Sequence, residues 1–215
     1  MTQVPLENNK VYVCGKVISD LEFSHENYGE KFYTCKIEIP RLSEQKDYLI
    51  VTISDRLLIN LNISQGDLIE VIGQFRSYNN TSESGNKLLL TVFARDIKKI
   101  EEFGDIKSLN QIYLDGYICK KPQYRTTPFG REITDILLAV NRLYGKSDYI
   151  PCIAWGRNAR FANTFEIGDN IRVWGRIQSR DYQKKISDQE VVTRTAYEIS
   201  ISKLEKVEKK VEIKE

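Results

Sequence analysis

Apolar and polar residues alternate along most of the chain, a pattern that favours strands with one buried face over helices. In the C-terminal half the alternating runs predict strands near 110–118, 131–142, 148–156, 170–182 and 191–204. Between the third and fourth runs, RNARFANTFEIG has alanines and a phenylalanine at helical spacing and ends near a glycine, which predicts one short helix. The N-terminal half shows the same order of elements, with its helix in DRLLINLNISQG.

The two halves repeat one another. Aligning VYVCGKV with IYLDGYI sets an offset of 101 residues, which grows to 102 at ISQGDLIEVIGQF and EIGDNIRVWGRI. We place TVFARDIKKI on TAYEISISKL at an offset of 104. Four glycine pairs keep this order: Gly15 and Gly116, Gly29 and Gly130, Gly66 and Gly168, Gly73 and Gly175. The repeat predicts a domain over 1–104, a second over 109–205, and a charged, disordered tail over 206–215.

Five antiparallel strands with a helix between the third and fourth are the element order of an OB-fold barrel. We therefore predict an all-β protein built from two tandem five-stranded OB barrels, with a generic β-sandwich as the alternative. Gly116 and Gly175 lie inside predicted strands, where glycine indicates a bulge or a sharp bend.

Composition argues against catalysis. His25, the single histidine, lies in a polar segment that we interpret as a solvated loop. Cys14, Cys35, Cys119 and Cys152 are far apart in apolar stretches without a CxxC spacing, which favours reduced core thiols. We expect no enzymatic activity, no metal and no cofactor. No apolar run reaches the ~18 residues of a membrane span, so we expect an unexported, cytoplasmic protein.

Charge separates the two copies. Residues 1–107 contain 13 Lys/Arg and 16 Asp/Glu, whereas residues 108–215 contain 19 and 14, so that the halves carry −3 and +5 within a total of +2. Nine of the thirteen arginines are in the second half. A surface for a polyanion is therefore expected on the second copy.

The fourth strand of that copy, IRVWGRIQSRDY, has one apolar face and one face that interleaves arginines with aromatic rings. The second face contains Arg172, Trp174, Arg176, Gln178, Arg180 and Tyr182. Cations suit phosphates and flat rings suit unpaired bases, so this face predicts binding of a single nucleic-acid strand. The alternative is an exposed strand whose arginines prevent pairing and whose Trp174 is buried in an interface.

The third strand of the second copy supports this interpretation. Period two places Tyr149, Ile153 and Trp155 outward and Cys152 and Ala154 inward. An outward tryptophan on a barrel strand suggests a partner. For Tyr149 a half-buried core position is an equal alternative.

The strings FGREITDILLAVNRLYG, SDYIPCIAWGRNARF, GDNIRVWGRIQSRDY and RTAYEISISKL resemble, in order and spacing, the bacterial single-stranded DNA-binding protein family. The resemblance covers roughly residues 109–205. It implies base stacking by Tyr144, Tyr149, Trp155 and Tyr182 and phosphate contacts by Arg142, Arg157, Arg176 and Arg180. It also implies a nucleoid-associated protein that coats and protects single-stranded DNA in replication, recombination or repair, with little sequence specificity.

Three departures from the family matter. Its members usually have one barrel per chain and assemble four, so two barrels imply a homodimer, or else a monomer with two. The family's glycine- and proline-rich linker with an acidic, apolar tip is not matched by EKVEKKVEIKE. The first copy has Ser54, Glu70, Ile72 and Gln74 where the second has Trp155, Arg172, Trp174 and Arg176. We therefore expect the first barrel to bind DNA weakly or to serve assembly.

Two other functions remain possible on the residues alone. The outward aromatic residues would equally suit a protein-interaction module, which would give no gel shift with a dT oligomer. An RNA-binding OB protein would prefer rU to dT in competition.

Overall fold

The structure is a computed structural model that describes residues 7–82, 85–185 and 191–208. Two β-barrels follow one another along the chain. The first contains β1 (Asn9–Val17), β2 (Glu22–Asn27), β3 (Glu30–Pro40), β4 (Lys46–Ser54), α1 (Asp55–Leu58), β5 (Leu68–Ser82) and β6 (Gly85–Ile100). The second contains β7 (Asn110–Thr126), β8 (Glu132–Asn141), β9 (Ser147–Trp155), α2 (Arg157–Ala162), β10 (Asn170–Lys185) and β11 (Val191–Lys206). Short 3₁₀ helices lie at Ile106–Ser108 and Leu143–Gly145.

Each barrel closes on itself as an OB fold does. In the second barrel, β7 pairs with β8 and β10, β10 with β11, β11 with β9, and β9 with β8. The closing contact is parallel and sets Cys152 opposite Ile199; Val51 and Val92 make the equivalent contact between β4 and β6. The prediction of two tandem OB barrels is confirmed, with a helix before the fourth barrel strand in each.

The strands agree with the sequence pattern except at one strand of each barrel. The first strand of the second barrel was expected to end near residue 118, but β7 continues to Thr126 through two register shifts against β8. Its counterpart in the first barrel is interrupted, and the separate strand β2 pairs with β3. The expectation that His25 is exposed to solvent is confirmed, but His25 lies on β2 and not in a loop, with its ring stacked on Phe32 at 4.8 Å.

Glycines mark where neighbouring strands come close. A Cβ on Gly175 would lie 2.2 Å from Ser200 O, and the β10–β11 register shifts at this glycine, which confirms the predicted bulge. At Gly116 no register shift occurs; a Cβ there would lie 2.6 Å from Ala139 O, so the glycine permits a close approach of strands.

The last-strand alignment at offset 104 is wrong. Gly73 pairs with Ala94, 21 residues later, whereas Gly175 pairs with Ile201, 26 residues later. The second hairpin is thus five residues longer, and the structural offset on the last strand is 107. The slip of three residues inverts the alternation: buried Val92 is equivalent to buried Ile199, and not to the half-buried Ala196 on which offset 104 places it. The hairpin turn at 186–190 lies outside the described residues, as does the tail beyond residue 208.

The barrels join through antiparallel pairing of their first strands, which makes one eleven-stranded sheet. Val11 lies opposite Ile112, its equivalent in the repeat. The flanking pairs are Lys10 with Tyr113 and Tyr12 with Gln111. These pairs exchange equivalent residues, so an approximate two-fold axis passes between Val11 and Ile112 and relates the two barrels.

A hydrogen-bonded contact follows from this symmetry. Asp148, which is 1% exposed, accepts the backbone N–H of Ser77 at 2.6 Å, and Ser77 Oγ accepts the N–H of Tyr149 at 2.8 Å. The Arg142 guanidinium donates to both carboxylate oxygens of Asp148 and to Ser77 O. Burial, which alone lowers the pKa of Arg142, is outweighed by Asp148, and the pKa is raised.

The same contact recurs across the axis. Asp47, also 1% exposed, accepts the N–H of Ser179 at 3.0 Å, and Ser179 Oγ accepts the N–H of Tyr48 at 2.8 Å. Arg41 donates to both oxygens of Asp47 and to Gln45 Oε1. The contacts anchor the beginning of β4 to β10, and the beginning of β9 to β5.

Burial agrees with the alternation of β9 at all but one position. Cys152 and Ala154 face the core as expected, but Ile153, expected outward, is only 5% exposed. Both faces of β9 are therefore covered at its middle. The four cysteines are free thiols, three of them buried, and burial raises the pKa of Cys35 to about 11.

Candidate nucleic-acid interface

A cleft of about 820 Å³ lies between the barrels. One wall is the loop Pro40–Asp47 of the first barrel; the other is formed by Trp155 at the end of β9 and by residues 176–180 of β10. Ile106, Lys107 and Asn110 of the connection also border it. The Asp47–Ser179 hydrogen bond fixes the two walls relative to each other.

The cleft is strongly cationic. Among the described residues that line it, the cations are Arg41, Lys46, Lys107, Arg131, Arg176 and Arg180, and the carboxylate is Asp47. Arg131 and Arg180 are exposed and form no ion pair within the described ranges. The single carboxylate is bound by Arg41, and Lys46 pairs with Glu38 outside the cleft lining at 2.8 Å, but the other cations leave an excess of positive charge that suits a polyanion.

Arg176 is the most constrained of these cations. Its Nη2 donates to Gln178 Oε1 at 3.2 Å, and its Nε lies 4.0 Å from Asp47 Oδ2. The Nε atom is buried and has no hydrogen-bond partner within the described part of the chain. Burial and the nearby positive charge of Arg41 lower the pKa of Arg176, while Asp47 partly opposes them.

Trp155 provides the aromatic surface of the cleft. It is the last residue of β9, pairs with Ile133, and is half-buried. Gly156 turns the chain at φ +54° into α2, whose first residue is the exposed Arg157. Arg157 is next to the cleft in sequence but does not line it.

The structure brings three of the ten predicted site residues, Trp155, Arg176 and Arg180, into this cleft. Tyr182 follows Arg180 by two residues on β10, so alternation places it on the same strand face, 38% exposed.

Three other predicted residues lie where the β8–β9 connection meets the first barrel. Arg142 is engaged by Asp148 and Ser77, as described above. Tyr144 is 87% exposed at φ +64°, in the left-handed region, and Tyr149 is 45% exposed on β9, which excludes the core position considered for it. The Arg142 guanidinium also lies 5.4 Å from the ring centre of Tyr78.

The last two predicted residues lie on the outer face of the joined sheet, not in the cleft. Arg172 forms an ion pair with Asp115 at 3.0 Å. Trp174 is half-buried against Tyr113, with ring centres 5.2 Å apart, and Lys203 Nζ lies 4.5 Å from its ring centre. The bulge at Gly175 separates these positions from Arg176.

The first barrel has a related cluster in which the order of two residues is reversed. Gln74 and Arg76 occupy the positions of Arg176 and Gln178, and Arg76 Nη2 donates to Gln74 Oε1 at 2.9 Å. The Arg76 guanidinium stacks 3.9 Å from the centre of the Phe93 ring, and burial lowers its pKa. This cation is covered by a ring of its own barrel, which makes it less available to a ligand than Arg176.

Sequence reasoning missed one wall of the cleft. Arg41, Lys46 and Lys107 belong to the half of the chain with net negative charge, and only the β1–β7 pairing brings them beside β10. Arg131 precedes β8 and was also missed. A duplicated Arg-x5-Asp spacing, Arg41–Asp47 and Arg142–Asp148, was the available signal for the interface.

Comparison with protein families identifies the second barrel. Residues 109–207 match the model of the single-strand binding protein family. The single-stranded DNA-binding protein of Clostridium tetani is 36% identical over 92 residues, covering 40% of this chain and 63% of that protein. The single-stranded DNA-binding protein A of Bacillus subtilis is 35% identical over 92 residues, covering 40% of this chain and 54% of that protein.

The chain spans 54 to 63% of the length of these two relatives. A solved structure covers both barrels: the single-stranded DNA binding protein from Thermus aquaticus superposes with a TM-score of 0.75 and 21% identity over 94% of this chain and 93% of its own. At that identity the match establishes the tandem OB fold.

Two kinds of feature are absent from the residues that the structure describes. No helix there is long and apolar enough to cross a membrane. No group of three or more histidine, cysteine or acidic side chains in those ranges is arranged to hold a metal ion.

Proposed function

We propose that this protein binds single-stranded DNA without catalysis, coating and protecting the strand in replication, recombination or repair, in the cytoplasm at the nucleoid. The observation that carries the proposal is the cationic cleft in which Trp155 lies with Arg176 and Arg180, on a barrel of the single-strand binding protein family. Arginines contact phosphates and release condensed counterions, while exposed rings stack on unpaired bases.

The aromatic residues define the type of strand. Trp155 in the cleft and Tyr182 farther along the same surface offer flat faces at two points, and every base can stack on such a face. Duplex bases are already stacked on each other and gain nothing there. We therefore propose slight sequence preference and much weaker binding of duplex. Tyr144, Tyr149, Arg142 and Arg157 extend the proposed path over the neighbouring surface.

Assembly as a homodimer with four barrels forms part of the proposal. A concave region of about 600 Å³ on the outer face of the joined sheet is lined by Tyr12, Ile72, Tyr113 and Trp174, among others. Ile72 is 46% exposed although apolar. The face spans the approximate two-fold axis, and we propose that a second copy covers it. Trp174 and Arg172 then serve assembly rather than DNA.

The test is a fluorescence titration of the full chain with a dT oligomer, a duplex of equal length and an rU oligomer. The proposal expects tryptophan quenching and tight binding with dT and much weaker binding with duplex. Tighter binding of rU than dT would replace it with an RNA-binding function. If no oligomer binds, the proposal is contradicted, and the aromatic surface is better explained by binding of a protein partner.

A further inference from the structure

The cationic cleft is not a property of the second barrel alone. Its cations from the first barrel, Arg41 and Lys46, are on the loop Pro40–Asp47, and Lys107 is on the connection. These residues come from residues 1–107, where acidic side chains are in excess. The basic residues of this half therefore line the same cleft as Trp155, Arg176 and Arg180 of the second barrel.

The two-fold relationship shows that this arrangement is not a simple consequence of symmetry. In the equivalent loop, Arg142 donates to Ser77 O in addition to Asp148, so its guanidinium is tied to the opposite barrel. Arg41 has its hydrogen bonds within its own loop, to Asp47 and Gln45. Opposite Arg41 lies Arg176, where the first barrel has Gln74. On the other side of the axis Arg76 interacts electrostatically with Arg142, but the Phe93 ring covers its guanidinium, whereas Arg176 lines the cleft.

Two guanidinium groups share one carboxylate at this point. Arg41 Nε lies 2.7 Å from Asp47 Oδ2, and Arg176 Nε lies 4.0 Å from the same oxygen. Asp47 Oδ1 also accepts the N–H of Ser179. The carboxylate therefore has little capacity left to compensate Arg176, and the positive charges repel each other. An anion between the walls relieves that repulsion, and phosphate is an anion whose geometry matches the guanidinium group.

We infer that the loop Pro40–Asp47 of the first barrel forms part of the strand-binding site of the second, with Arg41 and Lys46 contacting phosphates of the same single strand that stacks on Trp155. This inference rests on the proposed function. It gives the first barrel a role in binding that does not need an aromatic surface of its own. Both barrels, held by the Asp47–Ser179 contact, are then required to form one complete site.

The test measures the salt dependence of dT-oligomer binding for the full-length Arg41→Gln/Lys46→Gln variant. Each phosphate neutralised on a single strand contributes about −0.7 to the slope of log K against log salt. Losing two contacts therefore reduces the magnitude of the slope by about 1.4. At 0.1 M salt the affinity falls about fivefold per contact, since the release factor scales as salt to the power −0.7.

Lys36→Gln is the matched control, because Lys36 is an exposed lysine of β3 that does not line the cleft. Its slope should equal that of the unmodified protein. If the loop variant loses affinity while its slope stays unchanged, the substitutions have only destabilised the fold. That result would overturn the inference. If Arg41→Gln prevents folding, Lys46→Gln and Lys107→Gln, both at exposed side chains, should each reduce the slope by about 0.7.

The outcomes separate the inference from the proposed function. If the unmodified protein binds dT and Arg180→Gln reduces the slope but the loop variants do not, the inference fails and the function stands. If the unmodified protein does not bind dT, the function itself fails.

Discussion

Val11 of the first barrel lies directly opposite Ile112 of the second, and these two residues are equivalent in the internal repeat. Pairing of equivalent residues creates an approximate two-fold axis within one chain. Because of this axis, the contact in which a buried aspartate of one barrel accepts the N–H of a serine of the other occurs twice. The two copies of this contact have the same backbone arrangement but different side chains. That difference places several arginines in one cleft.

The buried contacts at the joint should hold the barrels together. Asp148→Asn weakens the ion pair with Arg142 and leaves that cation, half-buried, without its partner. Breaking a buried pair from one side costs about 3–5 kcal/mol, so the free energy of unfolding should fall by that amount. Urea denaturation followed by circular dichroism measures it.

Asp135→Asn is the control for this change, since Asp135 pairs with Arg125 at the exposed surface. Such pairs contribute about 0–1 kcal/mol. Equal losses in the two variants would show that the Asp148 contact has no special structural importance.

The bulge at Gly175 should not tolerate a side chain. An alanine Cβ would lie 2.2 Å from Ser200 O, so β10 and β11 must separate and lose pairing next to Arg176. We expect Gly175→Ala to lower the free energy of unfolding by about 1–3 kcal/mol or more. Gly104→Ala, at a site with open space, should change it by less than about 1 kcal/mol. Chemical denaturation compares the two, and an unaffected Gly175→Ala variant would contradict the close approach of these strands.

Much of the fold is readable from the sequence because periodicity and turn chemistry act locally. The alternation in IRVWGRIQSRDY separates Ile171 and Val173, both fully buried, from Arg172 and Arg180, both exposed. The prediction of a bulge at Gly175 in β10 is also correct. The resemblance of the second half to the single-strand binding protein family agrees with the family match over residues 109–207.

The remaining features depend on contacts between distant segments. Nothing local in PRLSEQKD shows that Arg41 faces Arg176, because the β1–β7 pairing decides it. Ile153 points outward from β9 and is nevertheless buried, which likewise depends on what packs against that face of the strand. The sequence pattern also placed Trp174 with Arg176 on one face; the two residues do line the same concave region of the outer sheet, but Arg176 also lines the cleft and Trp174 does not.

Trp155 should contribute directly to base stacking. Trp155→Ala removes the aromatic surface of the cleft, and we expect a loss of about 1–3 kcal/mol in binding of a dT oligomer, with most of the fluorescence quenching lost as well. Trp174→Phe is the control, because Trp174 lies outside the cleft; it should keep both affinity and quenching. Isothermal titration calorimetry gives the affinities independently of fluorescence. Unchanged binding by Trp155→Ala would remove this residue from the site.

Assembly should depend on the outer face of the joined sheet. Ile72→Glu places a charge on an exposed apolar position there, and burying an unpaired charge against a second copy is unfavourable. Light scattering should show twice the chain mass for the unmodified protein and one chain mass for the variant. Leu42→Glu changes another exposed apolar residue, on the cleft loop, and should leave the mass unchanged. A single chain mass for the unmodified protein would favour the monomer with two barrels.

The central claim is that cations of the cleft neutralise the phosphates of a single strand. The most direct measurement is the affinity of Arg176→Gln/Arg180→Gln for a dT oligomer across a salt series, with Arg125→Gln, an exposed arginine outside the cleft, as the reference. We predict a slope of log K against log salt that is smaller in magnitude by about 1.4 than in the unmodified protein, with no change for the reference. Equal slopes in all three proteins would contradict the account.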